Sequence, residues 1–302
     1  MEAWCPTASR LIHASLAHST RRAYEGAWRD YKASMLHGVG GEVFSYKSVL
    51  QFIATQWGAG KSLALVQRQM SAIAFYAGLA GAQDPTKHFA VRKALRGWQR
   101  MRPHKEDARR PICEVRLAGI LGVLPGICSS AFEVGLFQVA YSLAFFGALR
   151  VSELVAARPS GVSGGLEMRD VVVGAEALRI RLRRSKTDQG GRGAWIQLAA
   201  APGSPCCPVA LVRAYLGARP STVHPNLLVH LDGGPLTCSQ FTTICKRAIA
   251  RLGDDPAHFT SHSFRIGAAT TAAGLGFSEA SVKGVGRWKS DCFQLYVRPH
   301  LL

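Results

Sequence analysis

TSHSFRIGAAT, residues 260–270, and GRWKSDCFQLYVR, residues 286–298, decide how this chain reads. The first sets His262 three residues before Arg265 at the start of a helical pattern, so an imidazole and a guanidinium share one face. The positive end of that helix adds to the attraction for an anion. The second ends on Tyr296, six residues before the last residue. Working outward, Arg150 closes Gly147-Ala148-Leu149-Arg150, and Lys186 sits in the turn-rich run SKTDQGGRG, residues 185–193. Metal-free attack on a phosphodiester calls for these groups. Two guanidinium forks bind phosphate oxygens and stay charged, so Arg150 and Arg265 suit the developing charge. A lysine on a hairpin loop can protonate a leaving oxygen, a histidine can accept a proton, and a phenol can attack. Each residue also has an ordinary reading. Arg150 can pair with Glu153, Lys186 can be a solvated turn lysine, and Tyr296 can be core. It is the order and spacing together that carry the signal.

Composition points the same way. The 302 residues, 48% of them apolar, are enough for two domains with a sizeable core. Formal net charge is +18, which calls for a polyanion partner. Nucleic acid is favoured over membrane, because the longest apolar stretch, around 137–149, is broken by Gln138, Ser142 and Gly147. The opening MEAWCPTASR lacks the basic and apolar regions of a signal peptide. None of the eight cysteines falls in a C-x2-C pair, so reduced thiols are expected. A zinc site of Cys238, Cys245, His224 and His230 is weighed and set aside. No cofactor and no small-molecule substrate is expected.

The first hundred residues carry helical patterns. Ser19-Thr20 opens a stripe of Ala23, Tyr24, Ala27, Trp28 and Tyr31; further helices are expected over 46–57, from Ser62, and over 87–99 after Asp84-Pro85-Thr86. Residues 100–111 hold two prolines and mixed charge with no apolar period, the mark of a flexible joint. From Lys87 to Arg110 nine Lys/Arg face two acids, which reads as a strap that tracks phosphates. Candidate DNA contacts are Arg21, Arg22, Arg68, Lys87, Arg92, Lys93, Arg96, Arg100, Arg102, Arg183 and Arg184. Beyond Pro111, helices are expected over 115–123 and 131–146, with Ser152 capping a short helix over 153–157. Val171–Val173, a segment alternating Leu178, Ile180 and Leu182 with Arg179, Arg181 and Arg183, and Ala194–Leu198 read as three strands. Further helices are expected over 208–216, 238–252, 263–273, 278–285 and 291–297. The fold class is mainly α with one small three-stranded antiparallel sheet.

These segments resemble the tyrosine recombinase, or phage integrase, family. GALRVSEL (147–154) is similar to its first-arginine box, RSKTD (184–188) to its hairpin lysine, and 260–270 and 286–298 to its second-arginine and nucleophile segments. The wording of the last two is closer to the eukaryotic branch, Crypton-like and DIRS-like mobile elements and their host-derived relatives, than to bacterial Xer proteins. The resemblance implies an N-terminal SAM-like core-binding domain over 1–103, a linker over 104–112 and a catalytic domain over 113–302. It further implies a C-shaped clamp on double-stranded DNA, a tetrameric synapse and a 3′-phosphotyrosyl intermediate that needs no metal or ATP. By that resemblance Arg150 and Arg265 bind the scissile phosphate, Lys186 is the acid, His262 accepts a proton or binds phosphate, and Tyr296 attacks. The family usually has His or Trp nine residues before the tyrosine; here Arg287 stands there, with Trp288 next to it. The six residues after Tyr296 are fewer than in relatives that exchange a C-terminal helix. A eukaryotic source implies the nucleus, and any other the cytoplasm. Two further readings are a DNA-binding protein descended from such an enzyme and no longer catalytic, and a type IB topoisomerase.

Overall fold

The computed structural model describes residues 5–36, 42–101, 107–159, 164–183 and 193–301. Arg102, Arg184 and Lys186 lie outside the described residues. The chain divides into two compact units, Met1–Glu106 and Asp107–Leu302.

The first unit is helical: α1 (Pro6–Ala14), α2 (His18–Leu36), α3 (Tyr46–Gly58), α4 (Leu63–Leu79) and α5 (Phe89–Met101). Serines start two of them. Ser45 Oγ accepts the Lys47 N–H and Ser62 Oγ accepts the Leu65 N–H, satisfying donors a helix start leaves open. Asp84 does the same for a 3-10 turn over Pro85–Lys87. Tyr31, Val49, Phe52, Ile53, Val66, Met70, Ile73, Val91 and Trp98 form the core of this unit. On α5, Val91 and Trp98 face inward while Arg92, Lys93, Arg96 and Arg100 are exposed. The helix therefore shows a basic face to solvent.

The second unit is built on α7 (Ala131–Phe146), whose run from Leu136 to Phe145 is buried except at Gln138. It packs against α6 (Glu114–Val123) and, once the chain returns, α9 (Pro208–Ala218) and α11 (His262–Gly274). Between come α8 (Val151–Leu154) and a sheet of β1 (Val171–Val173), β2 (Ala177–Leu182) and β3 (Ala194–Ala199) in sequence order, antiparallel throughout. Leu178, Ile180 and Leu182 are buried while Arg179 and Arg181 are exposed, as period-two patterning requires. The remaining helices are α10 (Cys238–Arg251) and α12 (Glu279–Gly286), followed by 3-10 turns over Asp291–Tyr296 and Pro299–Leu301.

Four features depart from the sequence reading. Helix α1 is unanticipated, and it buries no residue. Helix α8 begins at Val151 rather than 153, because the Glu153 carboxylate, not the Ser152 hydroxyl, closes its first turn on the Arg150 N–H. The tyrosine segment is a 3-10 turn instead of an α-helix. Residues 107–112, read as the end of a flexible joint, are fastened to the second unit. The Arg110 N–H donates to His258 O (2.8 Å) and the Ile112 N–H to Ser263 O (3.0 Å), with Ile112 fully buried. Gly267 makes this approach feasible: a Cβ there would stand 1.8 Å from Ile112 O.

Candidate active site

Helix α11 brings the first two groups. His262 is its first residue, and its N–H donates to Thr260 Oγ1 at 3.2 Å. Arg265, one turn on, is only 1% exposed. Burying a guanidinium is costly unless acceptors meet it. Here Nη1 donates to Ala148 O and Nη2 to Gly286 O at 3.0 Å, while the buried Nε–H has no acceptor among the described residues. Its Cζ lies 4.8 Å from the Trp288 ring centroid and 5.7 Å from that of Tyr296. Burial first, and then the nearby charges of Arg150 and Arg287, push the Arg265 guanidinium down to about 10, which still leaves it charged at neutral pH.

Arg150 sits at the cap of α8. Its Nη1 donates to Glu153 Oε1 at 2.7 Å and its N–H to Glu153 Oε2 at 2.9 Å. Arg287 reaches the same carboxylate, with Nη2 at 3.1 Å from Oε2, and also donates to Gly147 O (2.9 Å) and Ala148 O (3.4 Å). Burial lowers its guanidinium too. Glu153 and the Ala148 carbonyl therefore bind three arginines into one cluster. The ion-pair partner that Arg150 and Arg287 share is Glu153. Three guanidinium charges against one carboxylate leave a formal +2. Backbone strain marks the same place. Ala148 (φ 41°) and Arg287 (φ 57°, ψ 40°) both adopt the left-handed region, at a cost of about 1–3 kcal/mol each.

Tyr296 completes the cluster on the other side. Its ring is half-buried, 5.0 Å from the Trp288 ring, and its carbonyl accepts from Thr270 Oγ1 at 3.0 Å. Trp288 lies flat against Gly286, where any Cβ would stand 1.9 Å from the ring. Arg150, Arg265, Arg287, Trp288 and Tyr296 are thus brought together, with His262 on the helix turn before Arg265. Lys186 falls outside the described residues. The terminal nitrogens of Arg287 donate to two carbonyls and Glu153, which braces Arg150 and the 147–148 turn, while its buried Nε–H, like that of Arg265, has no acceptor among the described residues. Glu153 is the group the sequence reading held only as a commonplace partner. The signal for it was the R-x-x-E spacing, which suits a helix cap.

The DNA-contact candidates separate by partner. Arg22, Arg68, Arg92, Lys93, Arg96 and Arg100 are exposed in the first unit. Arg21 lies 3.6 Å from Glu25 and Lys87 3.7 Å from Asp84. Arg183, in the second unit, is already paired. It forms a bidentate pair with Asp170 (2.7 and 2.6 Å) and a bond to Glu167 (2.7 Å), so its charge is spent inside the fold.

No family model matches the chain. It is 27% identical over 294 residues, covering 94% of this chain and 82% of the relative, to an integrase/recombinase XerD homolog from Selenomonas ruminantium. Among solved structures it resembles the Tn1549 transposon integrase in complex with circular intermediate DNA, with TM-score 0.63, 14% identity, and 94% and 90% of the two chains covered. It also resembles a lambda integrase dimer bound to a COC′ core site, with TM-score 0.62, 13% identity, and 99% and 82% covered. The fold is therefore that of the tyrosine recombinases. The sequence likeness to an integrase/recombinase runs over nearly the whole of the same chain.

Proposed function

We propose that this protein is a site-specific DNA recombinase or integrase that cuts and rejoins DNA through a 3′-phosphotyrosyl link at Tyr296, without metal or ATP. The observation that carries this is the unbalanced charge of the arginine cluster against the Tyr296 ring. A largely buried formal +2 among the described residues, with an Nε–H on Arg265 still lacking an acceptor among them, is expensive in the absence of an anion. A phosphodiester brings one negative charge, and a second develops as the pentacoordinate state forms, so the cluster binds the transition state better than the ground state. Arg150 and Arg265 hold the non-bridging oxygens. Tyr296 attacks in line, His262 accepts a proton or binds phosphate, and Lys186 protonates the leaving 5′ oxygen. The ester retains the bond energy, so the strand can be rejoined with no nucleotide consumed. Arg287 holds Glu153 and through it Arg150, and its own Nε–H remains open to a phosphate oxygen.

The relatives' complexes with DNA and the exposed basic face of α5 support double-stranded DNA as the partner. Among the described residues no helix is long and apolar enough to cross a membrane. The finer reading is a homotetramer on DNA from the eukaryotic Crypton-like or DIRS-like branch of mobile elements, acting in the nucleus. It rests on the wording of 260–270 and 286–298. Cleavage of nicked duplex in EDTA and without ATP tests the chemistry. Arg265→Ala should lose on the order of 10²-fold in rate, as when one preorganised anion ligand is removed. Near-wild-type cleavage by that variant would remove the cluster from the reaction.

A further inference from the structure

We propose that Arg298 is a positioning residue for Tyr296, gripped by the Asp107 carboxylate at the residue where the chain enters the second unit. The inference rests on the reading of Tyr296 as nucleophile and adds what holds that nucleophile in place.

Arg298 is only 8% exposed, two residues after Tyr296. Its Nη1 donates to the carbonyls of Asp107 (2.9 Å) and Arg109, and its Nη2 to the Asp107 carboxylate. The same carboxylate receives Arg109 Nε at 2.7 Å and Nη2 at 2.6 Å. One acid therefore ties together two arginines, its neighbour Arg109 and, from just beyond the tyrosine segment, Arg298. On the opposite side a single hydroxyl closes the frame. Thr270 Oγ1 accepts the Arg298 N–H at 3.1 Å and donates to Tyr296 O at 3.0 Å. Thr270 stands five residues after Arg265 on α11, so the backbone carrying the phenol is pinned to the helix that carries the phosphate-binding guanidinium. The strap itself is pinned by the Arg110 and Ile112 bonds to residues 258 and 263.

The segment needs such a frame. It is a 3-10 turn with poorer hydrogen bonding than an α-helix, and Leu295 is largely exposed. Without Arg298 and Thr270 the phenol would hang on a short, loosely bonded turn. Attack on a phosphodiester demands alignment to a few tenths of an ångström, and a misplacement near 1 Å costs on the order of 10²-fold. Electrostatics agree with the latch. Asp107 is held well below the usual carboxylate range by Arg109 first and Arg298 also, and the hydrogen bonds to Asp107 in turn raise the Arg109 guanidinium.

Asp107→Asn and Arg298→Gln, singly and together, are compared with the wild-type full chain in three measurements. These are single-turnover cleavage at saturating nicked duplex, Kd for the same DNA, and the 19F spectrum of 3-fluorotyrosine at position 296. Each single variant should cleave on the order of 10²-fold more slowly at unchanged Kd, with the double variant no slower than either. The fluorotyrosine resonance should broaden or split in the folded variants. Undiminished cleavage in both single variants would overturn the proposal. So would slow cleavage with an unaltered 19F signal and a thermal midpoint lowered in proportion, because the latch would then be only a staple for the fold. A wild-type chain that forms no covalent adduct defeats the nucleophile reading and this proposal with it; a cleaving wild type with cleaving variants defeats this proposal alone.

Discussion

Replacing Glu153 by glutamine isolates the cluster's only carboxylate among the described residues. Oε1 accepts Arg150 Nη1 at 2.7 Å, and Oε2 accepts the Arg150 N–H at 2.9 Å and Arg287 Nη2 at 3.1 Å. The residue is 9% exposed, so water replaces little of this. A glutamine keeps one carbonyl but turns an NH2 group toward an arginine donor, whichever way the amide is set. The formal +2 becomes +3. Breaking a buried ion pair costs about 3–5 kcal/mol. The isosteric shape and the partial exposure of Arg150 bring the expectation to the low end, about 3 kcal/mol. For a unit of this size that lowers the thermal midpoint by about 6–12 °C. Saturating DNA should raise the midpoint of Glu153→Gln more than that of the wild type, because a phosphodiester supplies the missing negative charge. Calorimetry with and without duplex measures both effects. A midpoint within about 1 °C of wild type, or an equal gain from DNA in both proteins, would refute the charge argument.

Arg183 holds the Glu167 carboxyl below its usual range, chiefly through their hydrogen bond. A lowered folded value contributes stability above the unfolded pKa, about 4.3, and loses it as pH falls through the folded one. Thermal midpoints of the wild type should fall from about pH 5 downward, and Arg183→Gln should flatten that fall; parallel curves contradict the pairing. Gly267→Ala puts a Cβ 1.8 Å from Ile112 O, so the strap or α11 must move, at a cost of about 1–3 kcal/mol. A wild-type melting curve for that variant would show that the approach is not close. Changing Arg92, Lys93, Arg96 and Arg100 of α5 to glutamine should reduce the slope of log Kd against log salt by about 3–4, and an unaltered slope removes this face from the DNA.

Much of the fold was legible because periodicity reports burial. Helix α7 occupies the residues its continuous apolar run marks, and β2 alternates because one face is buried and the other carries Arg179 and Arg181. The cap of α4 at Ser62 was likewise visible as a serine before an apolar period. What escaped depends on partners far away in sequence. Arg183 looked like an outer-face cation, yet its acceptors are 13 and 16 residues earlier, in a turn that no local pattern places beside it. Residues 107–112 looked like a joint because they are charged and contain Pro111, but Asp107 is matched by Arg298, 191 residues away. In the site, order and spacing picked out Arg150, Arg265, Arg287, Trp288 and Tyr296, which the fold sets beside one another. The near-complete burial of Arg265 was not legible, because its acceptors are the carbonyls of Ala148 and Gly286, and backbone acceptors leave no mark in a sequence.

The central claim is that one phenol, framed by a surplus of guanidinium charge, takes the broken strand. It is tested most directly by trapping the chain on a nicked duplex in EDTA, digesting the adduct and locating the nucleotide-bearing peptide by mass. The account predicts a phosphodiester-linked nucleotide on Tyr296 and no adduct from Tyr296→Phe. Attachment at another residue, or an adduct that survives Tyr296→Phe, contradicts it.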